Sequence, residues 1–398
     1  MTTQELMIGF PPASDQQVTL ENWRRPPFNT WAFHHVRQIL PTANIRRSTA
    51  GVVSLPQAPR PLKNLTFRGP RGRDWTLDQM LATSATDGFV VLKNGQIAAE
   101  RYAGGQTASD PHIVFSVSKS ISGTLAGILV ENGQLDPDAP VTRYIPEAAT
   151  SAYGDCTVRH VLDMTVSIDF VEDYLNVDGA FARYRDATGW NPVYDPARLN
   201  DLRSFLLTLP RGQQPHGERF YYVSPNSDML GWILERASNT PYATLLSEQI
   251  WQKMGAEFDA YVTVDRLGAP RSAGGICTSL RDLARFGELM RCGGVVGDQR
   301  IVPASWIEDI LTNGDPAAWQ RGASAKFLRQ GRYRSKWYLT GNAHGAYCAI
   351  GIHGQWIYVD PAAEVVIAKA SSQELPVDDE MDRLMLAGFD AIARSLEG

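Results

Sequence analysis

The residues best suited to do chemistry lie in the stretch Phe-Ser-Val-Ser-Lys-Ser that begins at Phe115. Ser116 and Lys119 are three positions apart at the start of a predicted helix, so their side chains share one face and can meet. A serine hydroxyl is a poor nucleophile unless a base accepts its proton. Lysine can be that base if burial and the helix dipole lower its pKa from about 10.4. The pair predicts a serine hydrolase, although a capping serine beside a solvated lysine has the same spacing.

A second segment offers polar side chains that could join this pair. Tyr222, Ser224 and Asn226 alternate along a stretch that we expect to be extended, so they would point the same way. Tyrosine can relay a proton when a nearby cation lowers its pKa, and serine and asparagine can hold the lysine or the substrate by hydrogen bonds. The alternative interpretation is a loop that only caps the next helix.

A third segment, Gly351-Ile352-His353-Gly354, is expected to lie in a strand near the C-terminus. Glycines permit close backbone approach to a ligand. The backbone N–H groups of Ser116 and Ile352 could then form an oxyanion hole. His353 by itself is more typical of a packed strand residue than of a catalytic base.

The remaining pattern predicts the elements that position these residues. An Asn-Gly turn at 94–95 between apolar runs at 89–92 and 97–102 predicts a β-hairpin. A helix is expected from about 116 to 132, followed by Gly133 in a left-handed conformation. Strands are expected at 349–359 and 365–370, and an amphipathic helix closes the chain.

This order predicts a mixed α/β (α+β) protein in which helices flank an antiparallel sheet. We expect residues 1–75 to wrap the core as an N-terminal extension. Residues 76–140 and 275–398 would form the sheet domain, and residues 141–274 an inserted, mainly helical domain.

Composition narrows the function further. The 398 residues carry a net charge of −5, which argues against a nucleic-acid partner, and no apolar run is long enough to span a bilayer. The N-terminus lacks the features of a secretory signal, and four scattered cysteines are typical of free cytosolic thiols. We therefore expect a cytoplasmic protein with a small-molecule substrate, and a homodimer is left open. His34 and His35 share no face and have no third ligand nearby, so no metal or cofactor is predicted.

The three motifs, in this order, resemble those of the serine β-lactamase and penicillin-recognising superfamily, and most closely its class C-related esterase branch and the 6-aminohexanoate-dimer (nylon oligomer) hydrolases. The resemblance runs from about Trp23 to near the C-terminus. The stretches that carry it are Ser116-Val117-Ser118-Lys119-Ser120, Val161-Leu162-Asp163-Met164, Glu172-Asp173-Tyr174, Arg281-Asp282-Leu283-Ala284-Arg285 and Gly351-Ile352-His353-Gly354-Gln355.

The resemblance implies roles for individual residues. Ser116 would be the acylated nucleophile, Lys119 its base and Tyr222 the proton relay to the leaving group. Tyr174 would close over the bound amide, and Trp190 would lie in the same mobile loop, although ordinary aromatic packing would also explain either residue.

Two departures from the family pattern affect the substrate-binding residues. The usual Tyr-x-Asn loop is changed here, since Asn226 lies four residues after Tyr222 and Ser224 takes the asparagine-like position. The resembling amide hydrolases carry an acid in the loop after the closing tyrosine, whereas Arg185 makes this loop basic and poorly suited to a cationic amine. Arg185 is thus expected either to bind substrate or to be a solvated surface residue.

The predicted reaction is hydrolysis through an acyl-enzyme, acting on carboxylic esters and on linear amides such as the 6-aminohexanoate dimer. The alternative is a β-lactamase or a D-alanyl-D-alanine-type peptidase. A non-catalytic binding module is disfavoured, because Ser116, Lys119 and Tyr222 are all present.

Overall fold

The computed structural model describes residues 5–195 and 200–397. The strands in these residues are β1 (Thr42–Ile45), β2 (Thr66–Arg68), β3 (Asp74–Thr76), β4 (Thr86–Lys93), β5 (Gln96–Tyr102), β6 (His112–Ile113), β7 (Ala260–Thr263), β8 (Ile276–Thr278), β9 (Val295–Val296), β10 (Gln299–Arg300), β11 (Arg332–Arg334), β12 (Trp337–Leu339), β13 (Tyr347–Gly351), β14 (Gln355–Asp360) and β15 (Val365–Ser371). The helices are α1 (Asn29–Ala32), α2 (Leu77–Thr83), α3 (Val117–Glu131), α4 (Val158–Leu162), α5 (Ala180–Ala187), α6 (Leu202–Leu207), α7 (Pro225–Ser238), α8 (Tyr242–Leu246), α9 (Leu280–Arg291), α10 (Ala304–Thr312), α11 (Pro316–Arg321) and α12 (Asp379–Ser395).

The main sheet is antiparallel and has seven strands in the order β11-β12-β13-β14-β15-β4-β5. Strands β4 and β5 form the predicted hairpin, and both turn residues, Asn94 and Gly95, have positive φ (49° and 73°). This is the conformation that a tight hairpin turn needs and that Asn-Gly adopts at little cost.

Both faces of this sheet are buried, as the side chains that alternate between its faces along β4 show. Val90 and Leu92 belong to a core shared with α3 and α9, whereas Phe89 and Val91 belong to a second core shared with α2 and α12. Side chains alternate between the faces of a strand, so each face needs its own helical cover. The predicted antiparallel sheet flanked by helices is confirmed.

The prediction of one strand over 349–359 is wrong. The chain reverses between β13 and β14 through a three-residue turn at 352–354, where His353 and Gly354 have φ values of +61° and +84°. Two consecutive left-handed residues cannot continue a strand, and they make the turn that joins the two antiparallel strands.

Two other local predictions near the site are also wrong. The segment 222–226 is not extended throughout, because α7 begins at Pro225 and places Asn226 in its first turn. Proline at the first helical position favours this start. Arg185 lies in α5 and not in a loop, with Tyr184 buried beside it.

A smaller four-stranded sheet, β1-β7-β8-β6, brings distant parts of the chain together. Its strand β7 comes from the segment predicted as a helical insertion and pairs with β1 and β8. In the N-terminal segment, Trp23 and Phe33 are fully buried and contact Phe115, the residue before the predicted nucleophile. The division of the chain into three units stays a prediction.

Candidate active site

The predicted nucleophile stands at the N-terminus of α3, where the backbone makes a sharp turn. Phe115 has a φ of +41°, an uncommon conformation for a bulky residue, and Ser116 follows it with helical angles. Such a conformation costs on the order of 1–3 kcal/mol and persists only where its surroundings impose it. Here the Phe115 ring packs against Phe33 at 4.9 Å and Trp190 at 6.0 Å between centroids.

Lys119 lies one helical turn after Ser116 and contacts it directly. Its Nζ donates to Ser116 Oγ at 2.7 Å and to the Ala273 carbonyl at 2.6 Å. Burial lowers the pKa of Lys119 to about 7, with the negative charges of Glu172 and Asp228 acting in the opposite direction. A lysine with this pKa is partly neutral at neutral pH and can accept the serine proton.

Tyr222 completes the contacts around the serine. The Lys119 Nζ lies 5.1 Å from the Tyr222 ring centroid, and the Tyr222 hydroxyl is hydrogen-bonded to Ser116. Burial and the charge of Glu172 raise the pKa of Tyr222 well above its ordinary value. Arg271 acts to lower this pKa, but burial and Glu172 outweigh it, so the expectation of a lowered pKa for Tyr222 is wrong. Tyr222 is a neutral phenol, and Lys119 is the group that titrates near neutral pH.

The turn at 352–354 brings backbone N–H groups to the nucleophile. A Cβ at Gly351 would lie 2.6 Å from the Val114 carbonyl oxygen and 3.1 Å from the Ser116 nitrogen, so only glycine fits this approach. Ile352 follows and lines the same cavity as Ser116. Within residues 5–195 and 200–397, neither the Ser116 nor the Ile352 N–H donates to another protein group. Both can therefore donate to a substrate oxygen.

Sequence reasoning assigned no role to Glu172, which links two parts of the site. Its carboxylate accepts hydrogen bonds from the Ser224 hydroxyl (2.7 Å), from the Ser224 backbone N–H and from the Tyr174 hydroxyl. It thereby fixes the Tyr174 ring to the start of α7. The signal in the sequence is its place in Glu172-Asp173-Tyr174, one of the stretches that carry the family resemblance.

A buried ion pair behind the site was also missed. Arg271 pairs with Asp228 and donates to the Tyr184 hydroxyl, and both charged side chains are almost fully buried. Asp228 Oδ1 also accepts from the Ala273 N–H at 2.8 Å, and the carbonyl of Ala273 accepts from Lys119. The ion pair thus holds the peptide that positions the base.

A small cavity opens beside Ser116, with a volume of about 30 Å³. That is room for about two water molecules. The predicted site residues that line it are Ser116, Tyr174, Arg185, Trp190, Ser224 and Ile352. Arg24, Phe181 and Arg271 also line it, and none of these three was singled out from the sequence.

Two predicted substrate-binding residues are not brought to this cavity. Asn226 is fully buried, and its side chain bonds the Tyr153 hydroxyl at 3.1 Å. His353 bonds the Gln373 carbonyl through Nδ1 at 2.7 Å, and its ring packs against those of Phe33 and Phe115. Their contacts support the turn and helix that carry Ile352 and Ser224.

The rings of the adjacent histidines His34 and His35 lie 4.5 Å apart between centroids. Burial lowers the pKa of His34 to about 3, and His35 contacts the Trp31 carbonyl through Nδ1 at 2.8 Å. Across the part of the chain that the structure describes, no three side chains of the metal-ligating types His, Cys, Asp and Glu converge on one point. The same part contains no helix whose length and apolar character would let it cross a bilayer.

Comparison with known proteins places this fold and site in a family. The family model described as Beta-lactamase matches residues 76–388, and the chain belongs to that family. It is 39% identical over 365 residues to the 6-aminohexanoate-dimer hydrolase of Paenarthrobacter ureafaciens, covering 91% of this chain and 90% of that protein. It is 28% identical over 209 residues to Esterase EstB of Burkholderia gladioli, covering 48% and 49% of the two chains.

The fold is shared with a solved structure over almost its whole length. A Bacillus anthracis protein, provisionally named a 6-aminohexanoate-dimer hydrolase, superposes with a TM-score of 0.87 at 26% identity, covering 98% of this chain and 99% of that one. The predicted family, fold class and hydrolase activity are confirmed by these matches.

Proposed function

We propose that this chain hydrolyses carboxylic esters and linear amides through an acyl-enzyme on Ser116. The observation that carries the proposal is the contact of 2.7 Å between Lys119 Nζ and Ser116 Oγ, in a place where burial brings the pKa of Lys119 to about 7. A serine that bonds a base of this kind is an activated nucleophile.

The reaction proceeds in two steps. Ser116 attacks the substrate carbonyl while Lys119 accepts its proton, and the N–H groups of Ser116 and Ile352 donate to the developing oxyanion. The neutral Tyr222 passes the proton from Lys119 to the leaving group. Water then attacks the ester on Ser116, with Lys119 and Tyr222 in the reverse roles.

Substrate contacts come from the cavity residues. Tyr174 and Trp190 give aromatic walls, and Ser224 and Arg185 give hydrogen-bond donors; Asn226 and His353 act through the elements that they support. Amide and ester substrates are both favoured by the names of the two relatives, a 6-aminohexanoate-dimer hydrolase and an esterase. We also propose a cytoplasmic location, which is supported by four free cysteines.

The test is hydrolysis of short-chain 4-nitrophenyl esters, with mass spectrometry of the quenched enzyme. We expect an acyl adduct on Ser116, and Ser116→Ala should lower kcat/KM by about 10⁴-fold or more, as loss of a nucleophile does elsewhere. The exposed serine variant Ser54→Ala is the matched control and should keep the wild-type rate.

Other substrates in the same panel decide between related activities. Penicillins, 6-aminohexanoate linear dimer and 6-aminohexanoate cyclic dimer should all be slower than the esters. Full ester turnover by Ser116→Ala would refute the mechanism. Faster turnover of penicillins than of any ester or amide would instead favour the β-lactamase interpretation.

A further inference from the structure

Three arginines line the cavity beside Ser116, and all three have an unused hydrogen-bond donor. Arg24, Arg185 and Arg271 each have a buried Nε that finds no hydrogen-bond partner in the part of the chain that the structure describes. A buried donor left unpaired costs about 1–3 kcal/mol, and more for a charged group. Three such donors around one cavity indicate that its ligand supplies acceptors.

The other nitrogens of these arginines separate them into two kinds. Arg271 is neutralised by its ion pair with Asp228. Arg24 instead donates to the Trp190 carbonyl at 3.2 Å and to the Asn191 side-chain oxygen, and Arg185 donates to the backbone carbonyls of Tyr174 (3.3 Å) and Asn176 (3.0 Å). Within the described ranges, the hydrogen-bond partners of Arg24 and Arg185 are neutral oxygens. Arg24 and Arg185 therefore line the cavity without an ion pair of their own among the described residues.

The charges near Arg24 and Arg185 are of both signs. Burial and the repulsion from Arg185, Arg25 and Arg271 lower the pKa of Arg24 to about 9, so Arg24 stays mostly charged at neutral pH. Asp186 acts against this repulsion on both Arg24 and Arg185, while it also accepts from the Asn191 side chain. The carboxylate of Glu172 keeps its negative charge and accepts its hydrogen bonds from the neutral groups of Ser224 and Tyr174.

The residues that line the cavity relate it to the acyl half of the substrate. Ile352, whose N–H faces the oxyanion, lines it together with the arginines, whereas Tyr222, the proton relay to the leaving group, does not. A group bound by these arginines therefore belongs to the acyl half of the substrate.

We propose that Arg24 and Arg185 bind a carboxylate carried on the acyl part of the substrate, so that the preferred substrates are monoesters or monoamides of short dicarboxylic acids. This inference rests on the proposed acyl-enzyme function. A guanidinium presents its donors in the geometry that a carboxylate accepts. The cavity volume of about 30 Å³ matches the two carboxylate oxygens in place of two waters.

The test compares three 4-nitrophenyl esters that differ in the end of the acyl chain. They are the glutarate monoester, the 5-methylhexanoate ester of the same shape without charge, and the 6-aminohexanoate ester with a cationic end. Rates without enzyme are subtracted. In the wild type, kcat/KM should be at least tenfold higher for the glutarate than for the neutral ester, and lowest for the cationic ester.

Variants assign this preference to the arginines. Arg185→Gln and Arg24→Gln should each lower the ratio of glutarate to neutral ester about tenfold. Arg183→Gln removes an exposed arginine from the same helix and serves as the matched control, with the wild-type ratio expected. Raising the salt concentration should lower the ratio only partly, since the wall is buried.

The outcomes separate this inference from the function on which it rests. Hydrolysis of all three esters with no preference for the glutarate would overturn the anionic subsite and leave the acyl-enzyme function standing. A preference that persists in both Arg185→Gln and Arg24→Gln would also overturn it. No acyl adduct with any ester would overturn the proposed function itself.

Discussion

Two regions of the site differ in how their polar groups are hydrogen-bonded. The catalytic corner is formed by Ser116, Lys119, Tyr222 and Gly351, and the cavity wall carries Arg24, Arg185 and Arg271. In the corner, Lys119 has two hydrogen bonds shorter than 3 Å and Ser116 bonds both Lys119 and Tyr222. In the wall, the hydrogen-bond partners of Arg24 and Arg185 among the described residues are neutral oxygens, and each Nε finds no partner there. The side chains of the corner bond one another without a ligand, whereas each of these arginines in the wall keeps a side-chain donor unpaired.

This difference assigns catalysis to the corner and substrate selectivity to the wall. Groups that bond each other in a close-packed site are preorganised, and they act on any carbonyl that reaches them. Unpaired donors in the wall favour the binding of substrates that supply hydrogen-bond acceptors. They disfavour the binding of substrates that leave these donors unpaired. The same corner can therefore serve different substrates when only the wall changes, and the predictions below test the two regions separately.

The largest effect is expected from removing the base. Lys119→Met keeps the volume of the side chain but leaves Ser116 without a proton acceptor, so kcat/KM should fall by about 10⁴-fold for every ester. The ratio of glutarate to neutral ester, measured on the residual activity, should stay as in the wild type. A changed ratio would show that the corner and the wall are not separable.

A smaller loss is expected when the oxyanion donors are displaced. In Gly351→Ala the added methyl group would overlap the Val114 carbonyl, 2.6 Å away, and push the turn from Ser116. Loss of one oxyanion donor costs about 10²–10³-fold in kcat, and we expect a fall in that range with little change in KM.

Gly274→Ala provides the matched control from the wall. Its added Cβ would be 3.5 Å from the Trp190 ring and 3.7 Å from the Phe115 carbonyl carbon, which are ordinary contacts. Its effect on kcat should be far smaller than that of Gly351→Ala. Equal losses in the two variants would contradict the view that the corner is the less tolerant region.

The corner could be predicted largely from the sequence because its determinants are local. Ser116 and Lys119 lie one helical turn apart, and the Asn-Gly turn at 94–95 fixes the hairpin at one edge of the main sheet. The strand at 349–359 was mispredicted because its apolar pattern runs through residues 352–354, and only the backbone angles of His353 and Gly354 show the reversal. A left-handed conformation is uncommon for any residue other than glycine, and although histidine adopts it more often than most types, its presence alone does not predict it.

The wall could not be predicted because its parts meet only in three dimensions. Arg24 comes from the N-terminal segment, Arg185 from α5 and Arg271 from the segment between β7 and β8. Nothing in the sequence around Arg24 indicates that it bonds Trp190. The rise in the pKa of Tyr222 also depends on Glu172 and on burial, which no local pattern reports.

The smallest effect is expected where the two regions join, at Glu172. Lys119 must be neutral to accept a proton, so kcat/KM for a neutral ester should rise with pH through about 7, the pKa of Lys119. The negative charge of Glu172 raises that pKa. Glu172→Gln removes the charge but keeps an oxygen for the Ser224 N–H, so the pKa of Lys119 should fall and the acid limb of the pH profile should move to lower pH.

The measurement is the pH dependence of kcat/KM, which reports the free enzyme. Asp173→Asn, which neutralises the adjacent exposed carboxylate, is the matched control and should leave the acid limb in place. In Glu172→Gln, activity well below neutral pH should increase relative to the wild type, while activity on the alkaline side, where Lys119 is already neutral, changes less. An acid limb that stays in place would mean that Glu172 acts only by holding Tyr174 and Ser224, and a limb that moves to higher pH would contradict the charge effect altogether.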